Sequence, residues 1–227
     1  MFKESKFAHQ WLDRLDAEQP GGIEIGASAH NPFGMKNCTY VDYTKSLDTK
    51  FKKAELEIVG RTQHVDVEAY GDDLPFSTSS FNYLINCHVI EHQPNVIKSL
   101  IEWWRVIQGN GIIYCVVPLY GTIPEDRDRL PTEVESMIND FILDHNADTK
   151  PIHPSSYKCG HYNVFTRDSF DKLIHTINRI WFYQLGFEPF DLVDGLDICD
   201  KVANGFVRVI RVNKQYGDQL PWFGKSS

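Results

Sequence analysis

The sequence has few cysteines, and they show no pairing pattern. Its 227 residues include five cysteines, an odd number, and no two of them stand in CxxC spacing. Disulfide frameworks and zinc ribbons both need paired cysteines at short, regular intervals. The sequence therefore indicates neither kind of structure.

Long apolar runs and an excess of positive charge are also missing. No stretch approaches the ~18 apolar residues of a membrane-spanning helix, and the N-terminus lacks an apolar signal core. We therefore expect a soluble, cytoplasmic protein with no membrane partner. Lys and Arg number 23 against 31 Asp and Glu, which gives a net charge of -8. This balance argues against a general nucleic-acid surface, and nothing in the sequence indicates an oligomeric state.

Glycine is scarce where a nucleotide-binding loop is expected. Residues 22–26 (GIEIG) have the pattern of a short buried strand, but Ala27, Ser28 and Ala29 follow it. A dinucleotide-binding loop requires GxGxxG, so the sequence disfavours an NAD site. Small side chains still allow the backbone of residues 26–29 to approach a ligand closely.

A strand, a helix and a second strand follow one another in the middle of the chain. Residues 81–87 and 112–117 are short apolar runs typical of buried parallel strands, and residues 96–107 have apolar positions at helical spacing. This order predicts a right-handed parallel crossover. Ligands of such sheets lie beyond the carboxyl ends of the strands, so residues 87–92 and 118–120 are expected to border a site.

Four short motifs occur in order across this region. They are Asp73-Leu74-Pro75-Phe76, His88-Val89-Ile90-Glu91-His92, Arg105-Val106-Ile107 and Gly109-Asn110-Gly111. We expect the glycines of the last motif to end the preceding helix with a left-handed cap.

In this order and at this spacing, the motifs resemble those of class I S-adenosylmethionine-dependent methyltransferases of the broad small-molecule group, the type 11-like enzymes. The resemblance implies a doubly wound, Rossmann-like α/β fold with seven strands in the order 3-2-1-4-5-7-6 and the last strand antiparallel. It also implies S-adenosyl-L-methionine as cofactor and direct methyl transfer to a small-molecule or sugar-like acceptor. The length suits one domain over residues 1–227.

The resemblance also implies which residues hold the cofactor. Asp42, at the end of the second strand, would accept hydrogen bonds from both ribose hydroxyls. Asp66 or Asp73 would contact the adenine amino group. Leu74 would pack on the ring, and the loop after the first strand would meet the methionine end. The predicted cofactor-binding residues are Glu24, Gly26, Ala27, Ser28, Asp42, Asp66, Asp73, Leu74, Cys87 and His88.

Two further segments flank this core. Residues 1–20 predict a lead-in helix beside the cofactor site, and residues 119–167 form an irregular insertion that we expect to act as a lid or acceptor pocket. His88 at the strand end and His161 in the insertion are candidate bases for a hydroxyl acceptor, because imidazole titrates near neutrality. Asp128 is the third catalytic candidate.

Three other interpretations remain open. His88-x-x-Glu91-His92 matches the inverted zinc-protease signature, but that motif belongs inside a long helix and here a strand leads into it. Metal-assisted transfer could use the insertion, although the spacing of its possible ligands is irregular and no metal is assigned. A nonenzymatic adenosyl-binding or scaffold protein could also retain the fold. The possible insertion ligands are His145, His153, Cys159 and His161.

Overall fold

A sheet of seven strands forms the centre of the protein. The computed structural model describes residues 3–156, 160–199 and 203–215. The strands lie in the order β3-β2-β1-β4-β5-β7-β6, and β7 is antiparallel to both of its neighbours. The predicted order and the reversed last strand are thus confirmed. The strands are β1 (Gly22–Ile25), β2 (Cys38–Asp42), β3 (Val67–Glu68), β4 (Phe81–Cys87), β5 (Ile107–Pro118), β6 (Phe190–Leu196) and β7 (Gly205–Val212).

Five α-helices accompany the sheet in the part of the chain that the structure describes. Helix α2 begins after Thr49, whose side chain accepts from the Lys52 amide, and it ends at Gly60 with a φ of 72°. Helix α5 begins with a reciprocal capping box between Thr166 and Ser169. No helix of the described residues is long and apolar enough to cross a membrane. The helices are α1 (Lys3–Ala17), α2 (Lys50–Val59), α3 (Val96–Val106), α4 (Val134–Ile142) and α5 (Arg167–Leu185).

The alternation of side chains along the strands builds two apolar cores. Leu84 of β4 belongs to the core that contains α3 and α5, whereas Tyr83 and Ile85 belong to the core beneath α1. Helix α1 is fastened to this second face, because the Tyr114 hydroxyl donates to the Glu4 carbonyl over 2.6 Å. The predicted lead-in helix is therefore present and covers β4 and β5.

The glycine motif after α3 has a different role from the one predicted. Helix α3 passes directly into β5, with Ile107 already extended. Ile107 pairs with Phe81 and Ile112 pairs with Tyr83, so residues 108–111 bulge from the strand. A side chain at Gly111 would collide with Ile107. The glycines therefore serve a bulge, and the predicted helix cap is wrong.

Other boundaries also shifted. Residues 45–59 are charged with scattered apolar positions, a pattern that predicts a surface helix, but the helix begins only at Lys50. Thr132 precedes the apolar run of α4, where a helix cap is expected, but it instead accepts a hydrogen bond from the Val164 amide. Pro32 interrupts the stretch between the first two strands and predicts that no long crossover helix fits there, and residues 26–37 indeed contain no helix. The connection between β1 and β2 is consequently a loop, so other elements have to hold the backbone after β1 in place.

Candidate cofactor and acceptor site

Three neighbouring parallel strands bring the predicted cofactor residues to one edge of the sheet. Asp42 ends β2, Gly26 follows β1, and Cys87 ends β4, with β1 between the other two. The Gly26 amide donates to the Val41 carbonyl over 2.8 Å, and its φ is 68°. A side chain there would also collide with Val89. Glycine is thus required both by the backbone conformation and by the close approach of the β4 loop.

A glutamate from α2 holds the loop after β1. The buried carboxylate of Glu55 accepts from the Ala29 amide, from the Gln63 amide over 3.0 Å and from the Ser28 hydroxyl over 3.2 Å. Burial raises the pKa of Glu55, but these hydrogen bonds and Lys52 outweigh burial and lower it overall. Glu55 therefore holds the loop after β1 in place, although no helix follows that loop.

The buried ammonium of Lys52 joins this loop to the end of β2. Its Nζ lies 3.2 Å from a Glu55 oxygen and 3.8 Å from an Asp42 oxygen, and it donates to the Ala27 carbonyl over 3.3 Å. Neither Lys52 nor Glu55 was singled out from the sequence. Their three-residue spacing on a helix was the only available signal.

Asp42 retains acceptor capacity for a ligand. One of its oxygens accepts from the Tyr43 amide over 2.8 Å, and its side chain is 15% exposed. Burial raises the pKa of Asp42 above its usual value, against the opposing effects of that hydrogen bond and Lys52. A carboxylate has about four lone-pair sites, so Asp42 fits the two hydroxyls of a ribose.

The predicted adenine contacts are less well placed. The Asp66 carboxylate accepts from the Tyr40 amide over 2.8 Å, which fixes the start of β3 instead of its carboxyl end. Leu74 is buried in the main core, and Asp73 is exposed. Glu68 pairs with Asp42 in the sheet and is the acidic residue that β3 brings to this edge.

Glu24 is buried within β1, and burial raises its pKa to about 8. The folded protein therefore keeps a proton that the unfolded chain releases above pH ~4.5, so the free energy of unfolding should fall as pH rises from about 4.5 to 8. The difference between 8 and 4.5 corresponds to at most about 5 kcal/mol. We expect Glu24→Gln to remove the part of this slope that Glu24 contributes, as measured by urea unfolding at pH 5 and pH 8. Equal slopes in both proteins would show that Glu24 does not titrate in this range.

A cluster of imidazoles surrounds one buried carboxylate just beyond β4. Oε1 of Glu91 lies 3.7 Å from His88 Nδ1, 3.8 Å from His92 Nε2 and 3.9 Å from His161 Nε2. Burial raises the pKa of Glu91 to about 7, whereas burial and the neighbouring His161 lower the pKa of His92 to about 4. The two predicted catalytic histidines, His88 and His161, are thus brought to the same carboxylate.

Tertiary contacts of the insertion hold His161 beside Glu91. His161 Nδ1 lies 2.5 Å from an Asp126 oxygen, and Arg129 binds Asp126 over 3.0 Å. The amide of Tyr162 donates to the Glu91 carbonyl over 2.9 Å. Asp128 is exposed. Asp126, which the sequence analysis did not single out, is therefore the carboxylate that hydrogen-bonds to His161.

His145 and His153, two other insertion residues considered as ligands, lie apart from this cluster. His145 binds Asp140 over 2.8 Å, and His153 contacts the Ser155 hydroxyl over 2.7 Å. Cys159 lies outside the described residues. The structure therefore does not bring His145 and His153 together with His161.

The order of the strands and the reversed β7 are those of the class I S-adenosylmethionine-dependent methyltransferase fold. The comparisons agree, because residues 21–115 match the model of the family described as methyltransferase domain. The match indicates a methyltransferase domain at these residues, and it covers less than half of the chain. No curated protein matches it at significant similarity.

Solved structures with this fold are distant in sequence. A SAM-dependent methyltransferase from Methanosarcina mazei is 15% identical with a TM-score of 0.50, and the match covers 92% of this chain and 98% of that one. The 1,6-didemethyltoxoflavin-N1-methyltransferase of Burkholderia thailandensis is 13% identical with a TM-score of 0.50, over 93% and 77%. The chain spans 54% of the CurJ carbon methyltransferase, at 11% identity, 93% coverage of this chain and a TM-score of 0.47. These likenesses concern the fold alone.

Proposed function

We propose that the protein transfers the methyl group of S-adenosyl-L-methionine to a small-molecule or sugar-like acceptor. The observation that carries this proposal is that residues suited to an adenosyl ligand and a candidate base lie at the same edge of the sheet. Asp42 and the loop at Gly26 suit an adenosyl ligand, and His88 follows Cys87 at the end of the adjacent strand. The β4 loop also packs directly on the cofactor loop, where Val89 faces Gly26.

The proposed chemistry requires positioning and one proton transfer. When bound, S-adenosylmethionine supplies an electrophilic methyl group, which an acceptor oxygen takes as the carbon-sulfur bond breaks and neutral S-adenosylhomocysteine is released. His88 is the proposed base for the hydroxyl proton, since its ring is 31% exposed and borders the loop. His161 is 7% exposed and its Nδ1 lies against Asp126, so it is less accessible to an acceptor than His88.

Labelled cofactor tests this function directly. The protein should release S-adenosylhomocysteine when supplied with methyl-labelled S-adenosylmethionine and a panel of sugars and small hydroxyl compounds, and the label should appear in one acceptor. A metabolite extract would widen the panel. If the protein binds the cofactor but labels nothing in either mixture, the nonenzymatic adenosyl-binding interpretation would replace the enzyme.

A further inference from the structure

We propose that Glu91, His92 and His161 bind one divalent transition-metal ion. Their candidate donor atoms all lie within 4.8 Å of one another. Glu91 Oε1 is 3.8 Å from His92 Nε2 and 3.9 Å from His161 Nε2. Two donors of one tetrahedral zinc ion lie roughly 3.3 to 3.6 Å apart. Small side-chain rotations would therefore bring these atoms to coordinating distance.

The carboxylate at the centre of the cluster lacks the partners that burial demands. Glu91 is 0% exposed, and neither of its oxygens has a hydrogen-bond partner among the residues that the structure describes. Buried charges in folded proteins are paired or coordinate metals. A cation between Glu91 and the two imidazoles would provide the missing partner.

Both histidines are oriented as metal ligands are. Each turns Nε2 toward Glu91 and binds a protein oxygen through Nδ1, which is Asp126 for His161 at 2.5 Å and the Gly160 carbonyl for His92 at 3.1 Å. Such outer contacts fix the tautomer and ring orientation of metal-bound imidazoles. Two independent histidines in this arrangement, from distant parts of the chain, favour a built site over chance proximity.

The donor set indicates the kind of metal and leaves room for a ligand. Two imidazoles and one carboxylate suit zinc or ferrous iron and leave coordination positions open for water or a substrate oxygen. His88 borders this opening, with Nδ1 3.7 Å from Glu91. This arrangement differs from the inverted zinc-protease motif, because Ile90–His92 is a short 3-10 turn and His161 comes from the insertion.

An acceptor hydroxyl is the expected occupant of the open position, a step that rests on the proposed methyl transfer. A bound metal lowers the pKa of a coordinated hydroxyl, and His88 would take its proton as the oxygen receives the methyl group. The metal would thus select hydroxyl-bearing acceptors and orient the oxygen toward the cofactor loop.

Metal binding by the full chain tests the site without any cofactor. After removal of metals with a chelator, calorimetric titration with Zn²⁺ should show one equivalent bound with micromolar or tighter affinity, and Co²⁺ should give a visible absorption band. Glu91→Gln and His92→Ala should each weaken Zn²⁺ binding at least 100-fold. His145→Ala and His153→Ala are the matched controls and should bind as the wild type does.

Thermal unfolding separates loss of a ligand from loss of the fold. Zn²⁺ should raise the midpoint of the wild type but not that of Glu91→Gln, whose metal-free form should unfold at or above the metal-free wild type, since a buried carboxyl group without hydrogen bonds is gone. The proposal is overturned if the wild type binds no Zn²⁺, or if Glu91→Gln and His92→Ala bind as tightly as the controls. Either result leaves cofactor binding, measured separately, unaffected.

Discussion

Replacing Asp42 with alanine should weaken S-adenosylhomocysteine binding by about 100-fold or more. Two hydrogen bonds to a charged acceptor would be lost, and each contributes roughly 1.5 to 3 kcal/mol before compensation. Asp42→Asn should do less harm because an amide oxygen still accepts. Calorimetric titration of the three proteins measures the difference.

The fold should survive the Asp42 substitutions, because Lys52 keeps its 3.2 Å contact with Glu55. Asp48→Ala is a matched control, since Asp48 lies nearby in the same connection and its exposed carboxylate pairs with Lys53 over 2.5 Å. We expect wild-type affinity in that control. Wild-type affinity in a folded Asp42→Ala variant would remove Asp42 from the site.

Removing the His88 imidazole should reduce turnover about 10²- to 10⁴-fold, the usual contribution of a general base. Cofactor affinity should stay unchanged, because we expect His88 to contact the cofactor through its backbone and not through its imidazole. The pH dependence of turnover below neutrality should also disappear with the titrating group. Steady-state kinetics over a pH series, with an acceptor identified by labelling, measures both effects.

The backbone conformation of His88 disfavours alanine, so a second substitution is needed there. His88 has a φ of 54°, a conformation that asparagine tolerates better than alanine. His88→Asn should therefore lose turnover to the same extent while keeping the fold. If both variants keep wild-type turnover and its pH profile, His88 is not the base.

Local pattern predicted the strands of this fold well. Strand β4 has the predicted bounds, because it is a short apolar run between polar turns. The sequence 109–111 was misinterpreted because glycine permits both a helix cap and a strand bulge, and only the pairing of β4 with β5 decides between them. The missing first crossover helix was predictable from Pro32.

The candidate site was predictable where it lies at strand ends. Gly26, Asp42 and His88 follow from the rule that ligands bind beyond the carboxyl ends of parallel strands. The pair Asp126 and His161 was not predictable, because 34 residues separate them and irregular backbone brings them together. The buried charges of α2 were equally hidden, because periodicity places Lys and Glu on the exposed face of a surface helix.

Cofactor binding is the central claim, and titration of the purified full chain with S-adenosylhomocysteine tests it most directly. We predict saturable binding of one equivalent, with a dissociation constant below millimolar in the wild type and weaker binding in Asp42→Ala. Failure of the folded wild type to bind either S-adenosylhomocysteine or S-adenosylmethionine up to millimolar concentration would contradict the proposal that this protein is a working methyltransferase.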